Sequence, residues 1–220
     1  TTIWGVQEWN STTGAFTVKT PLTIIDPAQV DGSNVPLSTV GTIGDYAVVA
    51  VPDTVLNIGY YKNTDNNWVV VGSDDWKMSW ATVTGANAPE SLTAGNSIYI
   101  NGVEAIVGVV NTVQGFANDI NDLAIPGVVA AATAGNRLAL YADSNASNDG
   151  STADGGIISI TPGTNGAALL TALGITADEY LAPTYLAGYS YSAPRWGSTQ
   201  VAPRPTGSVW HNMSSANNGL

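Results

Sequence analysis

Residues 97–107 read Ser-Ile-Tyr-Ile-Asn-Gly-Val-Glu-Ala-Ile-Val, and this stretch decides how the second half of the chain folds. Two apolar, β-branched runs flank Asn101-Gly102, the dipeptide most typical of a tight hairpin turn. The stretch therefore predicts a two-strand ribbon that turns at Asn101-Gly102.

A helix is predicted directly after this ribbon. Apolar residues recur there with the i, i+3, i+4, i+7 spacing of an amphipathic helix, at Val113, Phe116, Ala117, Ile120, Leu123 and Ala124. Asn111 is the predicted N-cap, and Gln114 is the return arm of a capping box. The helix is expected to end at Ile125-Pro126-Gly127.

Three further elements complete a predicted α+β module. They are a second ribbon of Val128–Ala132 with Arg137–Ala142, a third strand at Gly156–Thr161 and a short helix at Ala167–Leu173. Thr164 or Asn165 is expected to cap this helix, and Gly174 to end it.

The helix period also predicts how the module packs. We expect Val113, Phe116, Ile120 and Leu123 to face a single sheet. That sheet would be formed by Ile98–Ile100, Arg137–Leu140 and Ile157–Ile160.

The order of these elements resembles the insertion domain of bacterial flagellins and hook-type proteins. The similar segments are IYINGVEAIVG, TVQGFANDINDLAIPGVVAAATAGNRLALYAD and ISITPGTNGAALLTALGIT. They follow the family's series of an I-x-I-N-G ribbon, a V-x-x-F-A-x-x-I-N helix and a closing G-x-A-L-L-x-x-L-G-I. The resemblance implies a module that decorates helical or fibrous assemblies and that is not an enzyme.

Other segments are similar to virion proteins of contractile-tailed cyanophages. These segments are GTIGDYAVVAV, YYKNTDNNWVVVGSDDWKMSWATVTG and YSAPRWGSTQVAPRPTGSVWHNMSSANNGL. The matching family members are long tail-associated and fibre-associated proteins. This resemblance implies a structural role in a phage virion.

Charged residues make up only 10% of the chain, against about 25% in an ordinary domain. The net charge is −11, and only six residues are basic. No basic stripe is available for a phosphate backbone, and an anionic membrane surface would repel the chain, so neither nucleic acid nor membrane is a predicted partner. The chain has no cysteine, which excludes disulfides and thiolate metal sites.

Clusters of turn residues and prolines along the sequence predict that the chain has three parts. Residues 1–90 are a β-rich N-terminal domain, 91–182 are the module resembling the flagellin insertion, and 183–220 are an extended connector rich in Pro, Tyr and Trp. The overall fold class is β-rich α+β. The sequence lacks an initiator Met, and we expect it to be a piece of a longer polypeptide.

One acidic loop contains a candidate metal site. Asp143, Asn145, Ser147, Asp149 and Asp154 occupy positions 1, 3, 5, 7 and 12 of a calcium-type loop, where oxygen ligands are expected. The glycine, however, stands at position 8 instead of 6, and no helix precedes the loop. Turn formation through side-chain to backbone hydrogen bonds explains the same residues. Calcium and a plain turn are both open, and no other cofactor is predicted.

The remaining candidate residues favour structure over chemistry. His211 is the only histidine and has no nearby partner for a triad. Asp74 and Asp75 are adjacent, whereas glycosidase carboxylates must converge from separate elements, so they predict a turn or cap before Trp76. We expect Trp68, Trp76 and Trp80 to be core residues, with sugar binding as the alternative for exposed rings.

These patterns together predict a non-enzymatic structural protein of a phage virion, in the tail or a fibre. Its predicted partners are further copies of itself and other virion proteins. Two alternatives stay open: a module that binds host glycan or protein, and a protein of a bacterial surface appendage.

Overall fold

A computed structural model describes residues 6–10, 13–51, 58–148, 155–188 and 207–212. Four sheets and three α-helices are present among these residues, which confirms the predicted β-rich α+β class. The chain divides into two compact units. The first contains the described parts of Thr1–Ser79, Pro183–Gln200 and Thr206–Leu220, and the second contains Trp80–Ala182.

The first sheet of the first unit combines both ends of the described chain. Its strands are β1 (Val6–Asn10), β2 (Ala15–Lys19), β14 (Tyr185–Gly188) and β15 (Val209–Asn212), in the order β14-β15-β1-β2. Strand β1 pairs antiparallel with both neighbours, and β14 runs parallel to β15. The part predicted as an extended connector thus supplies two strands. Strand β15 can be central because Pro194, Pro203 and Pro205 all lie outside it.

The second sheet of this unit is built around two aromatic strands. Its strands are β3 (Leu22–Ile24), β4 (Tyr46–Val49), β5 (Ile58–Lys62) and β6 (Trp68–Val70), in that order. Strand β3 is an edge strand and runs parallel to β4, whereas the predicted hairpin of β5 and β6 is antiparallel. A short 3-10 helix, Pro27–Gln29, follows β3, and the short helix α1, Asp74–Lys77, follows β6. Ile24, Ala47, Val49, Tyr60 and Trp68 belong to its core.

The second unit contains two sheets and two longer helices. One sheet has the order β10-β11-β7 and the other β13-β12-β8-β9. The bounds are β7 Val83–Thr84, β8 Ser97–Ile100, β9 Val103–Ile106, α2 Val113–Asp122, β10 Val128–Ala132, β11 Leu138–Ala142, β12 Ile157–Pro162, α3 Gly166–Leu173 and β13 Glu179–Leu181. Strands β8 and β9 form the predicted hairpin at Asn101-Gly102. The unit begins ahead of the predicted boundary at residue 90, because β7 pairs with β11.

Two packing predictions for α2 need correction. The expected single sheet is in fact two, since β8 and β12 belong to one and β11 to the other. Phe116 is fully buried, as predicted, but Leu123 is 41% exposed. The helix ends at Asp122, so Leu123 is its C-cap and turns away from the core.

The predicted caps are also different in part. Thr112, and not Asn111, caps α2, because its Oγ1 accepts a hydrogen bond from the Gly115 N–H at 3.0 Å. The Asn111 amide donates instead to the Leu92 carbonyl oxygen at 2.8 Å. Gly174 ends α3 as predicted, in a left-handed conformation with φ of 67°.

Among the described residues, no helix is long and apolar enough to cross a membrane.

Candidate functional site

The first unit has an open groove of about 550 Å³ beside the edge strand β3. We call it the β3 groove. Its floor is Leu22–Ile24, one wall comes from Ala28 and Gln29 of the 3-10 helix, and the other comes from 37–41. This volume lies in the range of sites that bind small molecules or short peptide segments.

A buried lysine fixes the wall formed by 37–41. The Lys62 ammonium donates hydrogen bonds to the carbonyl oxygens of Ser38, Val40 and Gly41, at 2.6, 2.7 and 3.0 Å. Lys62 is only 1% exposed, so these carbonyls replace the water that its charge has lost. The wall is therefore held in shape before any ligand arrives.

Trp68 supports the same wall from below. Its indole N–H donates to the Leu37 carbonyl oxygen at 3.1 Å, and its ring centroid lies 5.5 Å from the Lys62 Nζ. Gly41 has φ of 66°, and a Cβ there would lie 2.9 Å from Leu22 and 3.0 Å from Trp68. A larger residue at position 41 would deform the groove.

The floor of the groove is an open strand edge. The Ile24 carbonyl oxygen accepts from the Ala50 N–H at 2.8 Å, so the backbone of Ile24 faces β4. Because alternate residues of a strand direct their backbone groups to opposite sides, the N–H and C=O of Thr23 face away from β4, on the open side of this edge strand. Thr23 also lines the groove. This edge can accept one more strand.

The surroundings of the groove are acidic. Asp26 begins the 3-10 helix wall, and a Gly41 Cβ would lie 3.1 Å from the Asp45 carboxylate. Asp31 follows the same helix, and its carboxylate accepts from the N–H groups of Ser33 and Val35. The sequence has no basic residue between positions 20 and 61. The groove thus favours an uncharged or basic occupant.

A second polar cluster joins the two sheets of the first unit. The Tyr46 hydroxyl donates to the Glu8 carboxylate at 2.7 Å, and the other Glu8 oxygen lies 3.5 Å from Lys19 Nζ. Burial, reinforced by the Glu8 charge, raises the pKa of Tyr46 far above its usual value. Burial and Glu8 also raise the pKa of Tyr61 to about 12. Both phenols therefore stay protonated at neutral pH. The hydrogen bond between Tyr46 of β4 and Glu8 of β1 links the two sheets.

The predicted calcium loop is described only in part. The Asp143 Oδ1 accepts a hydrogen bond from the Asn145 N–H at 2.7 Å, which is a turn of the kind expected from the alternative reading. Asp149 and Asp154 lie outside the described residues. Within the described ranges, no group of three His, Asp or Glu residues could hold a metal ion. The plain turn and the calcium alternative for the whole loop both stay predictions.

Most of the other candidate residues are part of helices, strands or the core. Ser73 caps α1 by accepting from the Trp76 N–H at 3.2 Å, and Asp74 and Asp75, for which a turn or cap was predicted, lie in the first turn of this helix. Trp76 is fully buried and Trp68 is 7% exposed, as core residues should be. Trp80 is only partly buried, so the core prediction is wrong for this residue. His211 belongs to β15, where it lies opposite Val6; its side chain lies outside the described part.

Sequence reasoning missed Lys62 and the groove that it shapes. One signal was available: Lys62 follows Tyr60 by two positions in a strand, and alternation puts both residues on one face. A lysine on the core face of a hairpin must find acceptors there.

Comparisons with known proteins identify no relative. No protein-family model, no curated protein and no solved structure matches this chain.

Proposed function

We propose that this chain is a non-enzymatic structural component of a bacteriophage virion, in the tail or a fibre. Its work is to display two small, rigid units on an assembly of repeated copies. The proposal starts from the sequence resemblances to cyanophage virion proteins and to the flagellin insertion module. A bacterial surface appendage would use the same rigid units, and the experiment below separates the two settings.

The observation that carries the proposal is how the second unit uses its residues. Its core cluster is almost entirely apolar and includes Phe116, Leu138, Leu140 and Ile158, each without exposed surface. Such a core can hold a small module rigid without cofactor or metal.

Polar side chains in this unit serve the backbone. The Asn101 Oδ1 accepts from the Ser159 N–H at 2.7 Å, and its Nδ2 donates to the Ile157 carbonyl oxygen at 2.9 Å. Asn87 and Asn136 likewise donate to the backbone carbonyls of Thr171 and Pro89. In this unit, neutral side-chain amides connect distant parts of the backbone through hydrogen bonds, as expected in a chain with few charged residues.

Protein analysis of purified particles tests the proposal. Phage particles should be banded in a density gradient from a lysate that contains the gene, and their proteins identified by mass spectrometry. We expect peptides of this chain to co-purify with tail proteins at a fixed ratio. Recovery only from cell-surface filaments would favour the appendage alternative, and recovery only from the particle-free fraction would overturn both settings.

A further inference from the structure

The β3 groove combines three properties that together define an occupant. The backbone N–H and C=O of Thr23 face away from β4 on the open side of the edge strand. Lys62 holds the wall formed by 37–41 in place through its hydrogen bonds. Asp26 and Asp45 make the surroundings of the groove acidic. An extended strand without acidic residues fits such a site, because it can add to the edge and bring a positive charge to the rim.

Outside the described residues, one run of the sequence has this chemistry. Residues 195–202 read Arg-Trp-Gly-Ser-Thr-Gln-Val-Ala, with no acidic residue and with no proline between Pro194 and Pro203. Arg195 is one of only six basic residues in a chain of net charge −11. Eight extended residues span about 26 Å, whereas β3 with its three residues spans about 10 Å. The segment is long enough to cover β3 and still place Arg195 at the rim.

We propose that the β3 groove of one copy binds residues 195–202 of a second copy as an added strand. The contact is head-to-tail, since a groove meets a different surface on its partner, and repeated contacts of this kind build a ring or filament. This inference rests on the proposed function, because an assembly of repeated copies is what it explains.

Sedimentation velocity of the full chain with paired variants tests this docking. Thr23→Pro removes the outward N–H of β3 at an edge position where proline is tolerated. Thr23→Val keeps the N–H and is the matched control. Arg195→Glu reverses the charge of the segment, and Arg204→Glu makes the same change outside it.

We expect the parent chain, Thr23→Val and Arg204→Glu to associate as concentration rises. Thr23→Pro and Arg195→Glu should each stay monomeric alone, and an equal mixture of the two should form a dimer, because one variant retains the segment and the other retains the groove. A monomeric parent chain, or a mixture that stays monomeric, would overturn the docking. If Thr23→Pro has a lower melting temperature than Thr23→Val, the Asp26→Asn variant takes its place in the experiment. Asp26→Asn keeps the cap of the 3-10 helix but removes a negative charge at the rim of the groove. Association of Asp26→Asn at the parent level would also overturn the proposal.

The mass spectrometry of purified particles and the sedimentation experiment test different proposals. A chain that is present in particles but monomeric in every mixture refutes only the docking. A chain that associates as expected but is absent from particles refutes only the virion setting.

Discussion

The side-chain amide of Asn121 pairs with the backbone of Ala130 in both directions. Its Nδ2 donates to the Ala130 carbonyl oxygen and its Oδ1 accepts from the Ala130 N–H, each at 2.8 Å. Ala130 lies in β10, an edge strand, and the amide supplies the donor and acceptor that a neighbouring strand would supply. Helix α2 therefore closes part of a sheet edge that could otherwise pair with another chain.

Asn121→Ala should destabilise the second unit by about 1–3 kcal/mol, since it removes both partners of a strand backbone. Asn118→Ala is the matched control on the same helix, because the Asn118 side chain accepts only from that of Gln114 among the hydrogen bonds found for it. Urea unfolding of both variants provides the comparison. Equal midpoints would show that the Ala130 pairing contributes nothing.

Truncation of Phe116 to Ala should cost about 3–5 kcal/mol, as expected for the loss of a fully buried aromatic ring. Leu123→Ala is the control, because Leu123 is 41% exposed and should change stability by only about 0.5 kcal/mol. Calorimetric melting of the two variants measures the difference. The packing of α2 is misassigned if Leu123→Ala proves the more harmful change.

Lys62→Met should destabilise the first unit by about 2–4 kcal/mol. The carbonyls of Ser38, Val40 and Gly41 lose a charged donor, while Met keeps an unbranched side chain of similar length. Lys77→Met removes a cation from an ion pair of 3.7 Å with Asp74, whose side chain is 49% exposed, and should have little effect. Chemical unfolding followed by tryptophan fluorescence reports both. A parent-like Lys62→Met would mean that the wall of the β3 groove holds without its ammonium.

Alkaline pH should weaken the first unit. Burial raises the pKa of Tyr61 to about 12, against about 10 in an unfolded chain, and that of Tyr46 still further. The folded state keeps its protons while unfolded tyrosines lose theirs, so stability is full below pH 10 and falls as pH rises toward 12. Tyr46→Phe should flatten this decline in urea melts taken between pH 8 and 12, whereas an unchanged decline would place its origin in other groups.

Calcium should leave the melting curve unchanged. The Asp143 Oδ1 is already used by the Asn145 N–H, as a turn requires. A native-state ligand would raise the melting temperature with concentration. Melts in calcium and in chelator decide between the two readings, and a higher melting temperature in calcium would establish the metal site.

Short-range sequence patterns predicted the helices and strands of the second unit. Contacts between distant residues determine the sheet arrangement and the β3 groove, which the sequence did not predict. The Asn101-Gly102 turn and the period of Phe116 and Ile120 are short-range patterns, and both are observed. The division into two sheets depends on the pairing of β7 with β11 across more than fifty residues, which no local pattern reveals. The β3 groove was missed for the same reason, because Lys62 meets carbonyls more than twenty residues away.

Immunogold electron microscopy of purified particles tests most directly whether the chain belongs to a phage tail or fibre. Antibodies raised against the folded second unit, and the same antibodies absorbed with the chain as control, should be applied to intact phage. We expect gold on the tail or its fibres at regular positions, and we expect absorption of the antibodies to remove it. Gold confined to cell debris, with clean particles, would contradict it.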